Sequence, residues 1–266
     1  MIRAVGISVA LGARQPLRGV DFDAEAGQVT GIIGPNGSGK TTLLRVLAGV
    51  QPPSAGQVFL EETLLSTLSP SARARRLAYL PQNGTVAWPL RVREVAALGR
   101  LPLSPAPLDR PTAEDRTAIA RALDRAACTS LADRPFPDLS GGEKARALLA
   151  RALATEAPIL LADEPVAALD PAHQVKILTS LRAEATRGGC VVLVLHDLSL
   201  AARFCDRLAL LTDGTLAAAG PTAAVLTAPL LEAAFGTGFH RDFTGPVPVL
   251  VPTHALPYAK ENPDAG

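Results

Sequence analysis

Residues 34–42 read Gly-Pro-Asn-Gly-Ser-Gly-Lys-Thr-Thr, and no other stretch of the chain restricts its fold so tightly. The short apolar run from Gln28 to Ile33 leads into it, and apolar residues at helical spacing follow from Lys40 to Gly49. Strand, glycine-rich turn and helix, in that order, is the setting in which G-x-x-x-x-G-K-[ST] cradles phosphate. Gly34, Gly37 and Gly39 let the backbone curl so that successive N–H groups face the anion, and Pro35, Asn36 and Ser38 complete the turn. The positive end of the following helix adds to the field. Lys40 is expected at the β- and γ-phosphates of ATP, and the hydroxyl of Thr41, ahead of Thr42, at Mg²⁺. A glycine-rich turn without a ligand is the bland alternative, and the fixed Lys and Thr positions weigh against it.

Further short apolar runs end in polar residues: Ile159 to Ala162 at Asp163 and Glu164, Val191 to Leu195 at His196 and Asp197, and Leu208 to Leu211 at the Asp213-Gly214 turn. Helical patterns lie between them, at Glu143 to Thr155 and His173 to Arg187. Strands alternating with helices predict an α/β fold with a mostly parallel, doubly wound sheet, whose ligands bind at the C-terminal strand edge. Between Pro81 and Ser140 the pattern changes to helices at Val92 to Leu98 and Thr112 to Ala127 with a proline-rich break at Leu101 to Pro111, which predicts an inserted helical subdomain. Pro246 to Pro257 reads as an extended edge strand or arm, and Asn262 to Gly266 as a disordered end.

Carboxylates at strand ends carry the chemistry. Asp163 is placed to hold Mg²⁺ and Glu164 to polarise an attacking water as general base; taken alone, the pair reads equally well as a solvated turn. His196, at the end of the next strand, is placed to reach the γ-phosphate. His173 and His240 receive no catalytic role. Leu139-Ser140-Gly141-Gly142-Glu143 precedes a helix, and Ser140 with Glu143 fits a capping box. Capping does not account for the paired glycines, which open the helix start to an anion.

Composition bounds the remainder. The 266 residues suit one large domain, with or without an insertion, and a formal net charge of +1 leaves no global footprint for nucleic acid or an anionic membrane. Cys128, Cys190 and Cys205 are too scattered for a metal cluster or a disulfide framework and read as buried thiols. The N-terminal segment lacks the pattern of a cleaved leader, and no apolar run approaches the roughly 20 residues of a membrane span.

Taken together, the loop at 34–42, Gln82 after a strand, LSGGE at 139–143, LLADEP at 160–165, Ala168-Leu169-Asp170 and His196 resemble the ATP-binding subunits of ABC transporters, in the family's order and intervals. The resemblance implies a P-loop NTPase (RecA-like) core over 1–82 and 141–240, with an N-terminal antiparallel β element, a helical subdomain at about 83–140 and a C-terminal extension at 241–266. It implies ATP hydrolysis by a head-to-tail dimer, in which Ser140, Gly141 and Gly142 of one copy cover the nucleotide of the other and Asp170 spans the interface. Gln82 would join the metal and γ-phosphate site to the helical subdomain, where a polytopic membrane permease dimer docks. RRLAYLPQ (75–82), VREVAALGRLPL (92–103) and LHDLSLAARFCDRLALL (195–211) look like the bacterial importers of iron-siderophore complexes, haem or cobalamin, which are served indirectly by a periplasmic binding protein. Such a subunit sits peripherally on the cytoplasmic face of the inner membrane and needs no nucleic acid. The rival within the family is an ATPase acting on ribosomes or DNA; these usually carry two ATPase units or a long coiled-coil insertion, and this sequence has neither. Two positions depart from the family: Leu11, with Arg14 nearby, stands where an aromatic usually stacks on adenine, and Ala167 and Ala168 stand where a polar residue is common.

Overall fold

The computed structural model describes residues 1–82, 84–104, 106–108, 110–167 and 169–255, the last two by backbone alone. Ala168 and the end expected to be disordered, 262–266, lie outside the described residues. The chain opens with a hairpin of β1 (Ile2–Leu11) and β2 (Arg14–Ala24), then β3 (Val29–Ile33), α1 (Lys40–Leu47), β4 (Ala55–Leu60), β5 (Thr63–Leu64), α2 (Pro70–Ala74) and β6 (Leu77–Leu80). Three helices follow, α3 (Val92–Ala97), α4 (Ala113–Arg125) and α5 (Gly141–Leu153). Strands and helices then alternate through β7 (Ile159–Asp163), α6 (Pro171–Thr186), β8 (Cys190–Val194), α7 (Leu198–Phe204), β9 (Arg207–Thr212), β10 (Thr215–Pro221), α8 (Thr222–Val225) and α9 (Ala228–Phe235). A final hairpin pairs β11 (Thr237–Asp242) with β12 (Val249–Ala255), which realises the extended arm expected near Pro246.

Among the described residues the central sheet has the order β10-β9-β3-β8-β7-β6, parallel throughout except for β10. β3, β7 and β8 are buried at every position, as their predominantly apolar sequences require of strands covered on both faces. Alternate residues serve opposite cores. Val192 and Val194 of β8 join Ile32, Leu161 and the α1 leucines 43, 44 and 47 on one side, while Val191 and Leu193 join Leu149 of α5 and Ile177 and Leu181 of α6 on the other. A second, antiparallel sheet, β2-β1-β4-β5, closes the α1 side. Its first strand buries Ile2, Ala4, Ile7 and Val9 and turns the residues between outward, the mark of a strand wet on one face.

Parallel pairing sends the C-terminal ends of β3, β7 and β8 to one edge, so residues 34–42, 163–164 and 196 meet there although they are far apart in sequence. β8 lies between β3 and β7, so the 34–42 loop reaches across one strand to meet Asp163. The segment between β6 and β7 is helical, as its loss of strand character predicts. It is tied down by a buried ion pair: Arg100 Nε donates to Asp115 Oδ1 at 2.9 Å, and Arg100 also donates to the Ala154 carbonyl at 3.0 Å, after the last turn of α5. The three cysteines are free and buried, and burial pushes the Cys205 thiol up to about 12.

Candidate nucleotide and hydrolysis site

A cavity of about 800 Å³ opens on that edge. The loop supplies Asn36, Gly37, Gly39, Lys40, Thr41 and Thr42; the strand ends supply Gln82, Glu164 and His196; and the first hairpin supplies Leu11 and Arg14. Gly34, Pro35 and Ser38 build the loop beneath these residues.

The loop's geometry explains its glycines. Gly39 has φ +100°, and a Cβ there would lie 2.4 Å from the Pro16 carbonyl oxygen, so the loop and β2 can touch only through a bare backbone. Lys40 is buried and its Nζ donates to the carbonyls of Gly34 and Pro35, both at 2.8 Å, which fixes the ammonium at the centre of the curl. Burial pulls its pKa down, against the charges of Glu164 and Asp163, which pull it up.

Asp163 is fully buried at the end of β7. Thr41 Oγ1 donates to its Oδ1 at 3.0 Å, and its Oδ2 is buried without a hydrogen-bond partner. Burial raises the carboxyl's pKa; the Thr41 bond opposes this, and the Glu164 charge adds to it. A buried oxygen with no donor beside a hydroxyl suits a small hard cation. Among the described residues no group of three or more His, Cys, Asp or Glu could hold a metal, so such a cation would complete its shell with phosphate and water oxygens, as Mg²⁺ does.

Glu164 sits at φ +48°, a left-handed conformation that costs a non-glycine residue roughly 1–3 kcal/mol. Both of its carboxylate oxygens are engaged. Gln82 Nε2 donates to Oε2 at 2.5 Å, and His196 Nε2 donates to Oε1. The strained backbone and the two donors together hold one carboxylate at a single place on the cavity wall, facing Lys40. A carboxylate so fixed can accept a proton from a water lying between it and a bound phosphate.

Ser140, Gly141, Gly142 and Asp170 do not line this cavity; they form a second cluster where α5 and α6 begin. Ser140 caps α5, its backbone N–H donating to Glu143 at 2.8 Å while its hydroxyl accepts from the Glu143 N–H at 3.4 Å. Asp170 caps α6. The two glycines differ. A Cβ at Gly141 would meet nothing within 4 Å, whereas one at Gly142 would fall 2.4 Å from Cδ2 of His173. Gly142 is covered by a histidine of its own chain.

Sequence reasoning missed Gln15, Pro16, Arg18, Asp213 and Gly214, which complete the cavity wall. Arg18 N donates to the Gly214 carbonyl at 2.8 Å, joining β2 to the β9–β10 turn. The signal for the turn was available: β9 is parallel to β3, so its C-terminal end had to reach the ligand edge. The approach of β2 is a long-range contact with no local signature.

The ABC transporter family model matches residues 17–167. The chain is 44% identical over 226 residues to the hemin import ATP-binding protein HmuV of Thermobifida fusca, covering 85% of this chain and 78% of that one. It is 48% identical over 220 residues to the protein of the same name from Nocardia farcinica, covering 82% and 75%. The fold superposes on a bacterial ABC transporter cassette solved as a dimer with a TM-score of 0.74 at 27% identity, covering 84% of this chain and 99% of that one.

Proposed function

This chain belongs to the ABC transporter family and is an ATP-hydrolysing subunit, and from that premise we propose that it powers haem import across a bacterial inner membrane. The observation that supports haem over siderophore or cobalamin is the identity of 44% and 48%, across more than four-fifths of the chain, to proteins named for hemin import. The subunit works as a head-to-tail pair, docked peripherally on the cytoplasmic face of a polytopic permease dimer that receives cargo from a periplasmic binding protein. No helix among the described residues is long and apolar enough to cross a membrane, and in this reading the permease supplies the spans.

In this reading the 34–42 backbone and Lys40 bind the triphosphate, and Leu11 and the Arg14 stem cover the base. Thr41 and Asp163 would hold Mg²⁺, with Gln82 as a further contact, and the ion would neutralise phosphate charge. Glu164 orients a water and takes its proton as the water oxygen bonds to the γ-phosphorus. The bond to the β–γ bridging oxygen then breaks, leaving ADP and inorganic phosphate. Gln82 and His196 hold the Glu164 carboxylate in place. Ser140, Gly141, Gly142 and Asp170 of the partner copy close the site, which explains why none of them lines the cavity of its own chain.

The test is ATP hydrolysis by the complete complex in proteoliposomes, supplied with binding protein loaded with haem, a ferric siderophore or cobalamin. Haem is expected to stimulate turnover several-fold. Stimulation by either other ligand, with none by haem, would overturn the cargo assignment.

A further inference from the structure

Neither the sequence nor the catalytic scheme gives His173 a task, yet its ring is the most constrained feature of the second cluster. The backbone N–H of His173 donates to Asp170 Oδ1 at 3.0 Å, and its Nδ1 donates to Oδ2 at 2.6 Å, so one residue engages both oxygens of the carboxylate. These bonds, the backbone one foremost, hold the Asp170 carboxyl below its ordinary range, and it stays anionic. The opposite edge of the ring covers Gly142: a Cβ there would lie 2.4 Å from Cδ2, 2.5 Å from Cγ and 2.9 Å from Nε2. Only glycine leaves room for the ring.

Helix capping accounts for part of this arrangement and no more. An N-cap needs one side-chain oxygen accepting from a backbone N–H, which Oδ1 and the His173 N–H provide. The bond to Oδ2, and the seat of the ring on another helix, are surplus to that need. Their effect is to join the start of α6 to the start of α5 through one planar group with few rotamers. Asp170 and Ser140 are both exposed, and Gly141 is open beside them.

We propose that His173 is a positioning residue for hydrolysis, which locks the Asp170 carboxylate and the Ser140-Gly141 surface into one rigid face that meets the partner's nucleotide. The inference rests on the in-trans reading above. It adds that the two elements arrive together because a histidine of the same chain spans them, and that the second glycine of the pair leaves room for this ring.

ATPase kinetics of the full chain test it. His173→Ala is expected to lower kcat about tenfold or more, as misplacement by an ångström does, with KM for ATP within about twofold because the 34–42 loop is untouched. His173→Asn, whose amide nitrogen stands near the place of Nδ1, is expected to recover most of the loss. His173→Leu, which fills the space without a donor, is expected not to recover it, and recovery in Leu equal to that in Asn overturns the proposal. Unchanged kcat in His173→Ala, or equal losses in Ala and Asn, overturns the proposal.

Mixing separates this inference from the reading beneath it. Combined with the Glu164→Gln chain, His173→Ala is expected to regain the activity that wild type shows in the same mixture, because one of the two sites then pairs an intact Glu164 with an intact His173. A kcat loss rescued by Asn but not by mixing supports the positioning role and overturns the in-trans geometry. A kcat loss relieved by mixing but not by Asn overturns the bridge through Asp170 and leaves the in-trans geometry standing.

Discussion

The cavity edge and the α5–α6 cluster are organised in opposite ways. At the cavity edge every functional group is partnered inside one chain: Lys40 by loop carbonyls, Asp163 by Thr41, Glu164 by Gln82 and His196. The strands beneath are wholly buried. At the α5–α6 cluster the internal bonds cap helices and fix one ring, while Ser140, Gly141 and Asp170 face outward. The first region can bind by itself; the second becomes useful only against another surface. Affinity and turnover are therefore assigned to different parts of the molecule, and substitutions should separate them.

Glu164→Gln should have the largest effect. The amide keeps the shape and loses the base, so steady-state hydrolysis should fall about 10²–10⁴-fold while nucleotide binding persists. A smaller split is expected between regions. Ser140→Arg should cut turnover at least tenfold with ATP affinity nearly unchanged, whereas Lys40→Ala should weaken ATP binding itself, measured by titration. Equal losses of affinity in both variants would erase the distinction between the regions.

The smallest effect on the site should come from the ion pair behind it. Ser104, Arg100 and Thr112 all donate to Asp115, the Ser104 bond foremost, and together they hold its carboxyl well below its ordinary value of 3.8 despite burial. The folded carboxyl thus binds its proton less tightly than the unfolded one. Its contribution to stability is complete above that ordinary value and is lost as pH falls toward the folded one. Asp115→Asn removes the nearest carboxylate from the buried Arg100, leaving Glu114 and Glu156 at 3.8 Å, and should cost about 2 kcal/mol. The urea midpoints of the two proteins should differ at neutral pH and converge as pH falls, with ATP affinity at neutral pH little changed.

The cavity edge was more legible in the sequence than the cluster, and the reason is physical. Phosphate binding needs bare backbone, a cation and hydroxyls within one turn, so its signature is contiguous at 34–42. Strands buried on both faces show as apolar runs, and parallel pairing then dictates where Asp163, Glu164 and His196 must gather. His173 was invisible because its meaning depends on a packing contact with Gly142, 31 positions earlier in the chain. The different surroundings of Gly141 and Gly142 were hidden for the same reason: adjacent residues on a helix point in different directions, and only the fold says what lies there. The position of β8 between β3 and β7 was likewise unreadable, because strand order belongs to the assembled sheet.

The two ties on Glu164 have a mechanical corollary. One runs to Gln82, where the chain leaves the sheet for the helical segment; the other runs to His196, where β8 hands over to α7. Both ties converge on a single carboxylate held at φ +48°, so a shift of either anchoring segment would move it. A nudge too slight to disturb the barrier of packed strands could therefore still throttle the reaction.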